Sequence, residues 1–380
     1  VHLTEDARML QEMVRSFAEN ELKPLAAEID RDERFPHESI EKMADLGLLG
    51  MTIPEENGGS GMDTLCYAVA IEEIARVCGS TALIMAAHVS LACQPLHLFG
   101  TPEQKERYLE PLASGRVLGA YGLSETDAGS DAGATRTTAV QEGQEWVVNG
   151  AKLWITNAKE AETMVFTART GGQTAGTRDI SSFIIDPRSE GVTVNKIPDK
   201  LGCRGSTTCE VVFENARVPN ENLLGEPGKG FKQFLRILDG GRISIGAMAL
   251  GLAQGAYEEA LKFTQEREQF GRPLAKFQAV AFMLAEMATR IEAARGLIYE
   301  SARRKDAGES IIKSSAMAKY YASEVAQWVT TRAIQLHGGY GYTKDYPVER
   351  MWRDMKLTTI GEGTSEIQLL VISREILTEL

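Results

Sequence analysis

Glu362 stands between glycines in Gly361-Glu362-Gly363-Thr364, just ahead of a stretch with the chemistry of a helix start. Ser365 with Gln368 fits a capping box, and Ile367, Leu370 and Val371 begin an apolar face. A carboxylate at such a place is ordinarily a partner of the helix dipole. Flanking glycines also let backbone and side chain approach a ligand closely. In a dry, apolar site a carboxyl gains the basicity needed to take a proton from carbon. Capping and general-base chemistry therefore compete at this residue.

Three other segments carry chemistry-bearing side chains. Tyr121-Gly-Leu-Ser-Glu-Thr-Asp-Ala-Gly-Ser-Asp131 gathers hydroxyls, acids and two glycines; it is either a polar loop or a lining of donors for a flavin ring or phosphate. Trp154-Ile155-Thr156 sits in a strand-like stretch, where a tryptophan is ordinarily core but can also wall an aromatic ligand. Arg267-Glu-Gln-Phe-Gly271 and Gln335-Leu-His-Gly-Gly339 read as helix ends, one with a favourable cation and one closed by glycine.

Other chemistries lack their residues. Gly225-Glu-Pro-Gly-Lys-Gly230 resembles a phosphate loop, but Phe231 follows where Ser or Thr is needed. No GxGxxG follows a strand, HExxH is absent, and the five histidines have no ligand spacing, so no metal is expected. Five cysteines without a CxxC pair oppose a disulfide framework and point to a reducing compartment, cytoplasmic or, in a eukaryote, the mitochondrial matrix. A net charge of −12 disfavours nucleic acid and anionic membranes as partners. Val1–Leu22 lacks a signal peptide's apolar block, and the uncharged stretch Val77–Pro102 is broken often enough to read as buried helix and loop.

The elements that must position these residues fall into three regimes. Residues 1–115 are helical in pattern, with Met9, Met13, Phe17, Leu22 and Leu25 recurring at threes, fours and fives. Residues 116–228 change to short strands (Trp146–Val148, Lys152–Thr156, Met164–Thr167, Phe183–Ile185, Val192–Val194, Glu210–Phe213) cut by Gly and Pro, which predicts an antiparallel sandwich or barrel. Residues 229–380 return to about four long helices, Phe231–Phe263, Phe277–Arg303, Ile311–Leu336 and Ser365–Leu377, as in a four-helix bundle. The class is α+β in the order α, β, α, without the alternation of a Rossmann fold.

Taken in order, Ile53–Gly59, Tyr121–Asp131, Trp154–Thr156, Leu238-Asp-Gly-Gly-Arg242, Arg267–Gly271, Gln335–Gly339 and Glu362–Thr364 resemble the flavin-dependent acyl-CoA dehydrogenase family across the whole chain. The Leu238–Ile243 tract and the region from Ser90 to Pro95 look most like its short-chain members. The resemblance implies one FAD per subunit, a homotetramer, an acyl-CoA substrate and electron-transferring flavoprotein as partner. By resemblance, Tyr121, Leu123, Ser124, Gly129, Ser130, Trp154, Ile155, Thr156, Thr364 and Glu366 match positions around the flavin. Arg267, Gln269, Phe270, Gln278, Gln335, Gly338 and Gly339 match positions on the adenylate and pyrophosphate, partly from a neighbouring subunit. Ser130, Asp239, Arg242, Gly361, Gly363 and Arg374 match positions near the thioester, and Glu362 matches the base that removes the α-proton while the β-hydride moves to flavin N5. In the family the Glu backbone N–H and a ribityl hydroxyl polarise the thioester carbonyl.

The chain departs from the family pattern at four places. Ser124 replaces a commoner Thr, Thr126 a usual Pro, and Gly361 a common Tyr beside the base; Gly241 excludes the isovaleryl-type arrangement with Glu there as base. Two other functions compete: an oxidase or monooxygenase on the same fold passing electrons to oxygen, and a catalytically silent scaffold.

Overall fold

The structure, a computed structural model, describes residues 3–378 apart from Gly172. Its first helices are α1 (Glu5–Phe17), α2 (Ala26–Asp32), α3 (His37–Asp45), α4 (Thr64–Ala75), α5 (Gly79–Ala86), α6 (Gln94–Phe99), α7 (Pro102–Gln104) and α8 (Glu110–Ala113). Thr4 and Asp63 cap α1 and α4, each side chain accepting a first-turn N–H. The methionine periodicity marks α1 but misplaces its face. The buried stripe is Ala7, Leu10 and Val14, while Met9 is 56% exposed. Met13 is exposed as well, so residue size alone ranks the faces wrongly. A π turn, Ala18–Leu22, supplies the five-residue step after Phe17.

Of the uncharged stretch expected as helix and loop, Gly79–Phe99 is continuous helix, α5 running through a π segment, Ala87–Cys93, into α6, and the loop after it is only Gly100 and Thr101 before α7. Gly79–Phe99 is the one segment among the described residues long and apolar enough to cross a membrane, and most of it is buried inside the molecule.

Strands β1 (Leu118–Gly122), β2 (Thr138–Glu142), β3 (Glu145–Thr156), β4 (Ala161–Arg169), β5 (Ile180–Ile185), β6 (Val192–Lys196), β7 (Thr208–Pro219) and β8 (Leu223–Leu224) form one sheet. Its order is β6-β7-β3-β2-β4-β5-β8, with β1 on β4. The antiparallel expectation holds for β2–β3, β4–β5 and β6–β7 but not throughout: β1 runs parallel to β4, and Thr138 pairs in parallel with Arg169. The sheet is mixed because β1 arrives from the helices and not from a hairpin, and reaches β4 only after a long crossover. Phe166 stacks on Phe183 and Phe213 at its core, centroids 5.7 and 4.7 Å apart. The two runs at 146–148 and 152–156 are a single strand; Gly150, at φ +141°, absorbs the register shift between them.

Helices α9 (Gly230–Glu266), α10 (Gln278–Asp306), α11 (Ile312–His337) and α13 (Ser365–Thr378) match the four expected, with the short α12 (Val348–Met355) added. Strands β9 (Glu268–Gln269) and β10 (Arg272–Pro273) make a small hairpin after α9. Helix α9 is the axle, with α4 and α11 pressed onto it. A Cβ on Gly251 would lie 2.2 Å from the Glu72 carbonyl oxygen on α4, and one on Gly255 2.1 Å from that of Arg76 beside it. Buried Glu72 accepts hydrogen bonds from Tyr299 (2.6 Å) and Arg295 (2.8 Å), and Glu73 from Arg15 (2.9 Å), so that α1, α4 and α10 are tied by satisfied charges.

Candidate active site

The Glu362 turn is built from both sides. After a 3₁₀ turn, Lys356–Thr359, the Gly361 N–H donates to the Leu357 carbonyl (2.8 Å), and the chain turns through left-handed Glu362 (φ +51°) and Gly363 (φ +87°). A non-glycine residue held there costs about 1–3 kcal/mol, so its surroundings must over-determine it. They do. Gln368 donates to the carbonyls of Glu362 (3.1 Å) and Gly363 (2.9 Å), and Lys319, wholly buried on α11, donates to the Gly363 carbonyl (2.6 Å). The capping box expected of Ser365 and Gln368 does not form. Thr364 takes the cap, accepting from the Ile367 N–H (3.3 Å), because the left-handed turn aims two carbonyls at the Gln368 amide.

The side chain points at α9. Oε2 of Glu362 is cut off from solvent and has no hydrogen-bond partner among the described residues. A Cβ on Gly241 would lie 2.1 Å from that atom, so glycine leaves the space the carboxylate fills. Burial pushes the Glu362 carboxyl up to about 7, against the pull of Lys319 and then Arg242. Arg242 is itself buried, donates to Asp239 (2.7 Å), and keeps an unpartnered Nε. Behind Gly241 a buried hydroxyl chain runs from Ser244, which donates to the Gly241 carbonyl (2.8 Å), through Ser90 (3.1 Å) to Tyr67 (3.0 Å).

A second group forms on the sheet. The Leu153 N–H donates to the Ser124 carbonyl (2.8 Å), which sets Tyr121, Leu123 and Ser124 beside Trp154, buried Ile155 and half-buried Thr156. Lys152 anchors the arrangement from inside: fully buried, it donates to Glu125 (2.6 Å), the Leu123 carbonyl (3.1 Å) and Thr167 (3.3 Å). Glu125 also accepts from the N–H groups of Arg136 (2.6 Å) and Thr137 (3.1 Å). Trp154 is not core. A second irregularity of β3 between Lys152 and Ile155 puts it at φ +66° and leaves it 59% exposed. Tyr121 keeps a buried, unpartnered hydroxyl, and Gly129 and Ser130 lie exposed farther along the loop.

A third group gathers beyond the end of α9. Arg267 lies over the Tyr340 ring (5.8 Å), joining its segment to that of Gln335, Gly338 and Gly339, while Phe263 stacks on His337 (4.3 Å). Gln269, Gln278 and Gln335 are exposed, and Phe270 is 93% exposed at φ +54° on the hairpin tip. Open space surrounds Gly338 and Gly339. Glu366 and Arg374 are exposed on α13, and it is Glu375, not Arg374, whose charge acts on Asp239. Sequence reasoning did not single out Lys152 or Lys319, and it read Gln368 only as a capping partner and Glu125 only as one acid of a polar loop. The signal was present for Lys319, a lone cation among Ser315, Ala316, Ala318 and Ala322.

Comparison with known proteins places this geometry. The acyl-CoA dehydrogenase N-terminal, middle and C-terminal domain models match residues 4–116, 120–216 and 228–377. The chain is 52% identical over 375 residues to a short-chain specific acyl-CoA dehydrogenase of Clostridium acetobutylicum, covering 99% of each. It matches the butyryl-CoA dehydrogenase structure of Megasphaera elsdenii at TM-score 0.97 and 42% identity, covering 99% of each chain. A chain in a structure described as the electron transferring flavoprotein of Acidaminococcus fermentans matches at TM-score 0.97 and 48% identity, again over 99% of each. The chain belongs to the acyl-CoA dehydrogenase family.

Membership carries FAD as cofactor. The residues present fit it. An exposed indole held in a strained bulge, a buried phenol without a partner and a turn of loop donors offer a flavin both stacking and polar contacts. The aromatic tip at Phe270, the Arg267 cation and the open diglycine suit an adenylate and its phosphates.

Proposed function

We propose that the chain oxidises a short acyl-CoA to the trans-2-enoyl-CoA, with Glu362 removing the α-proton and electron-transferring flavoprotein as the electron partner. The observation that carries the reading is the dry, unpartnered Oε2 of Glu362 in a turn clamped by Lys319 and Gln368. A scaffold has no use for an ionisable oxygen so placed, since burying a carboxylate without a partner is costly. The Glu362 N–H also has no partner among the described residues and is free to donate to a thioester oxygen, which acidifies the α C–H. Arg242, with its spare Nε, and Asp239 border the same space. When bound, FAD supplies the acceptor for the β-hydride.

The Arg267–Phe270 group belongs to a neighbour's site. It lies some 25 residues along α9 from Gly241, on the order of 40 Å at a helical rise, too far to complete its own subunit's site around Glu362. This supports a homotetramer in which subunits exchange cofactor contacts. Five free, buried cysteines suit a reducing, cytoplasmic setting.

Substrate-driven bleaching of the flavin, followed with straight, branched and cyclic acyl-CoAs, tests the function. Steady peroxide production without an added acceptor would assign it to the oxidases instead. Protein that stays colourless after FAD is added would leave the scaffold.

Two variants probe the site. Gly241→Ala gains helix propensity, so folding should be kept, but its methyl displaces the carboxylate; a roughly 10-fold or larger loss of flavin reduction rate is expected, and an unchanged rate would place the base elsewhere. Gly361 leaves room beside the base, since a Cβ there would make only ordinary contacts with Leu357, at 3.5 Å or more. We expect tolerance for branching or a ring near the reacting carbons. Gly361→Tyr should lower the branched-to-straight ratio of kcat/KM by about 10-fold, on the scale of one or two methyls. A constant ratio would show that another wall shapes the pocket.

A further inference from the structure

Lys319 is fully buried on α11, where a lone ammonium is costly unless something requires its charge. It has no carboxylate within ion-pair reach among the described residues; its one hydrogen bond goes to the Gly363 carbonyl (2.6 Å), next to Glu362. The charges acting on it are Glu362 first, then Arg242, Glu366 and Glu324. Those acting on Glu362 are Lys319 from α11 and Arg242 from α9, with the neutral phenol of Tyr67 facing it from α4. Arg242 already has a carboxylate of its own in Asp239. Lys319 is therefore the cation without another task.

Resting on the reading of Glu362 as base, we propose that Lys319 is a positioning residue for proton abstraction. It fixes the turn at residues 362–363 through the Gly363 carbonyl, and its charge favours the ionised Glu362 carboxylate against the burial that opposes it. An opposite charge nearby favours the ionised form of a carboxyl. The same hydrogen bond holds Glu362 in its left-handed conformation, so geometry and basicity share one side chain.

The test is the pH dependence of flavin reduction by butyryl-CoA in wild-type holoenzyme, Lys319→Met and Lys319→Arg. In Lys319→Met the acid limb should move up by about one pH unit or more, so that its deficit is about 10-fold at pH 6.5 and narrows toward pH 9. Lys319→Arg, which keeps the charge, should hold the limb at the wild-type position even if the rate falls. An equal loss at every pH with an unmoved limb, or a wild-type profile, in Lys319→Met would overturn the assignment. Should that variant not be recovered as a flavoprotein, an upward limb in Lys319→Arg overturns it instead. Glu362→Gln separates the two levels. A wild-type rate there defeats the base reading itself, whereas an inactive Glu362→Gln with an unmoved Lys319→Met limb defeats only the role of Lys319.

Discussion

Glu362→Gln should fold, bind FAD and lose about 10²- to 10⁴-fold of its flavin reduction rate, the usual contribution of a positioned general base. The amide fills the same volume over Gly241, and the clamps from Lys319 and Gln368 grip backbone carbonyls that the substitution leaves alone. The same change should raise stability. Burial holds the folded-state carboxyl at about 7, well above its ordinary range, so the folded protein binds a proton that the unfolded chain has already released. Wild-type stability therefore falls as pH rises from about 4.5 through 7, and the glutamine variant escapes that loss. Thermal midpoints at pH 5 and pH 8 should diverge between the two proteins at the higher pH only. In parallel, the wild-type rate should climb with pH through about 7 as the base ionises. A glutamine variant that bleaches as fast as wild type, or is less stable at pH 8, contradicts the account.

Lys152→Met carries the second large effect, on stability and cofactor retention. Removing the ammonium leaves Glu125 buried with two backbone donors and no counter-charge, a loss of about 3–5 kcal/mol for a broken buried pair. The midpoint should drop on the order of 10 °C. The Leu123 carbonyl loses its anchor as well, so the loop beside Trp154 should hold FAD less tightly. Adding Glu125→Leu removes the stranded charge. The double variant should regain most of the stability while FAD retention stays weak, because coupling between neighbours is not additive. Full flavin content and a wild-type midpoint in Lys152→Met would show the pair to be dispensable.

How much of this was legible beforehand depends on the range of the interaction. The long helices α9, α10 and α11 were readable because periodicity and capping are local. Glu362 was readable because its flanking glycines are adjacent in the chain. The face of α1 was misread because which helix presses closely on it is decided 60 residues away. From its own residues Trp154 stayed open between core and ligand wall, because the bulge that exposes it depends on β7, the pairing partner. The parallel contact of β1 with β4 is a matter of topology that strand patterns do not encode. Lys152 and Lys319 look like any lysine until the fold buries them. The capping box did not form, and the N-cap moved one residue to Thr364, because the turn's carbonyls claim the Gln368 amide.

The close seating of α9 also limits how such a chain can change length. Gly241 faces the Glu362 carboxylate, and Gly251 and Gly255 admit the backbone in and just after α4, all on one continuous helix. Inserting or deleting one residue between Gly241 and Gly255 would rotate everything beyond it by about 100° and slide it about 1.5 Å. Either the carboxylate or the backbone crossing would then meet a side chain. Growth and loss of sequence are thus confined to the turns outside this helix, and its spacing behaves as a fixed ruler against which the loops are free to diversify.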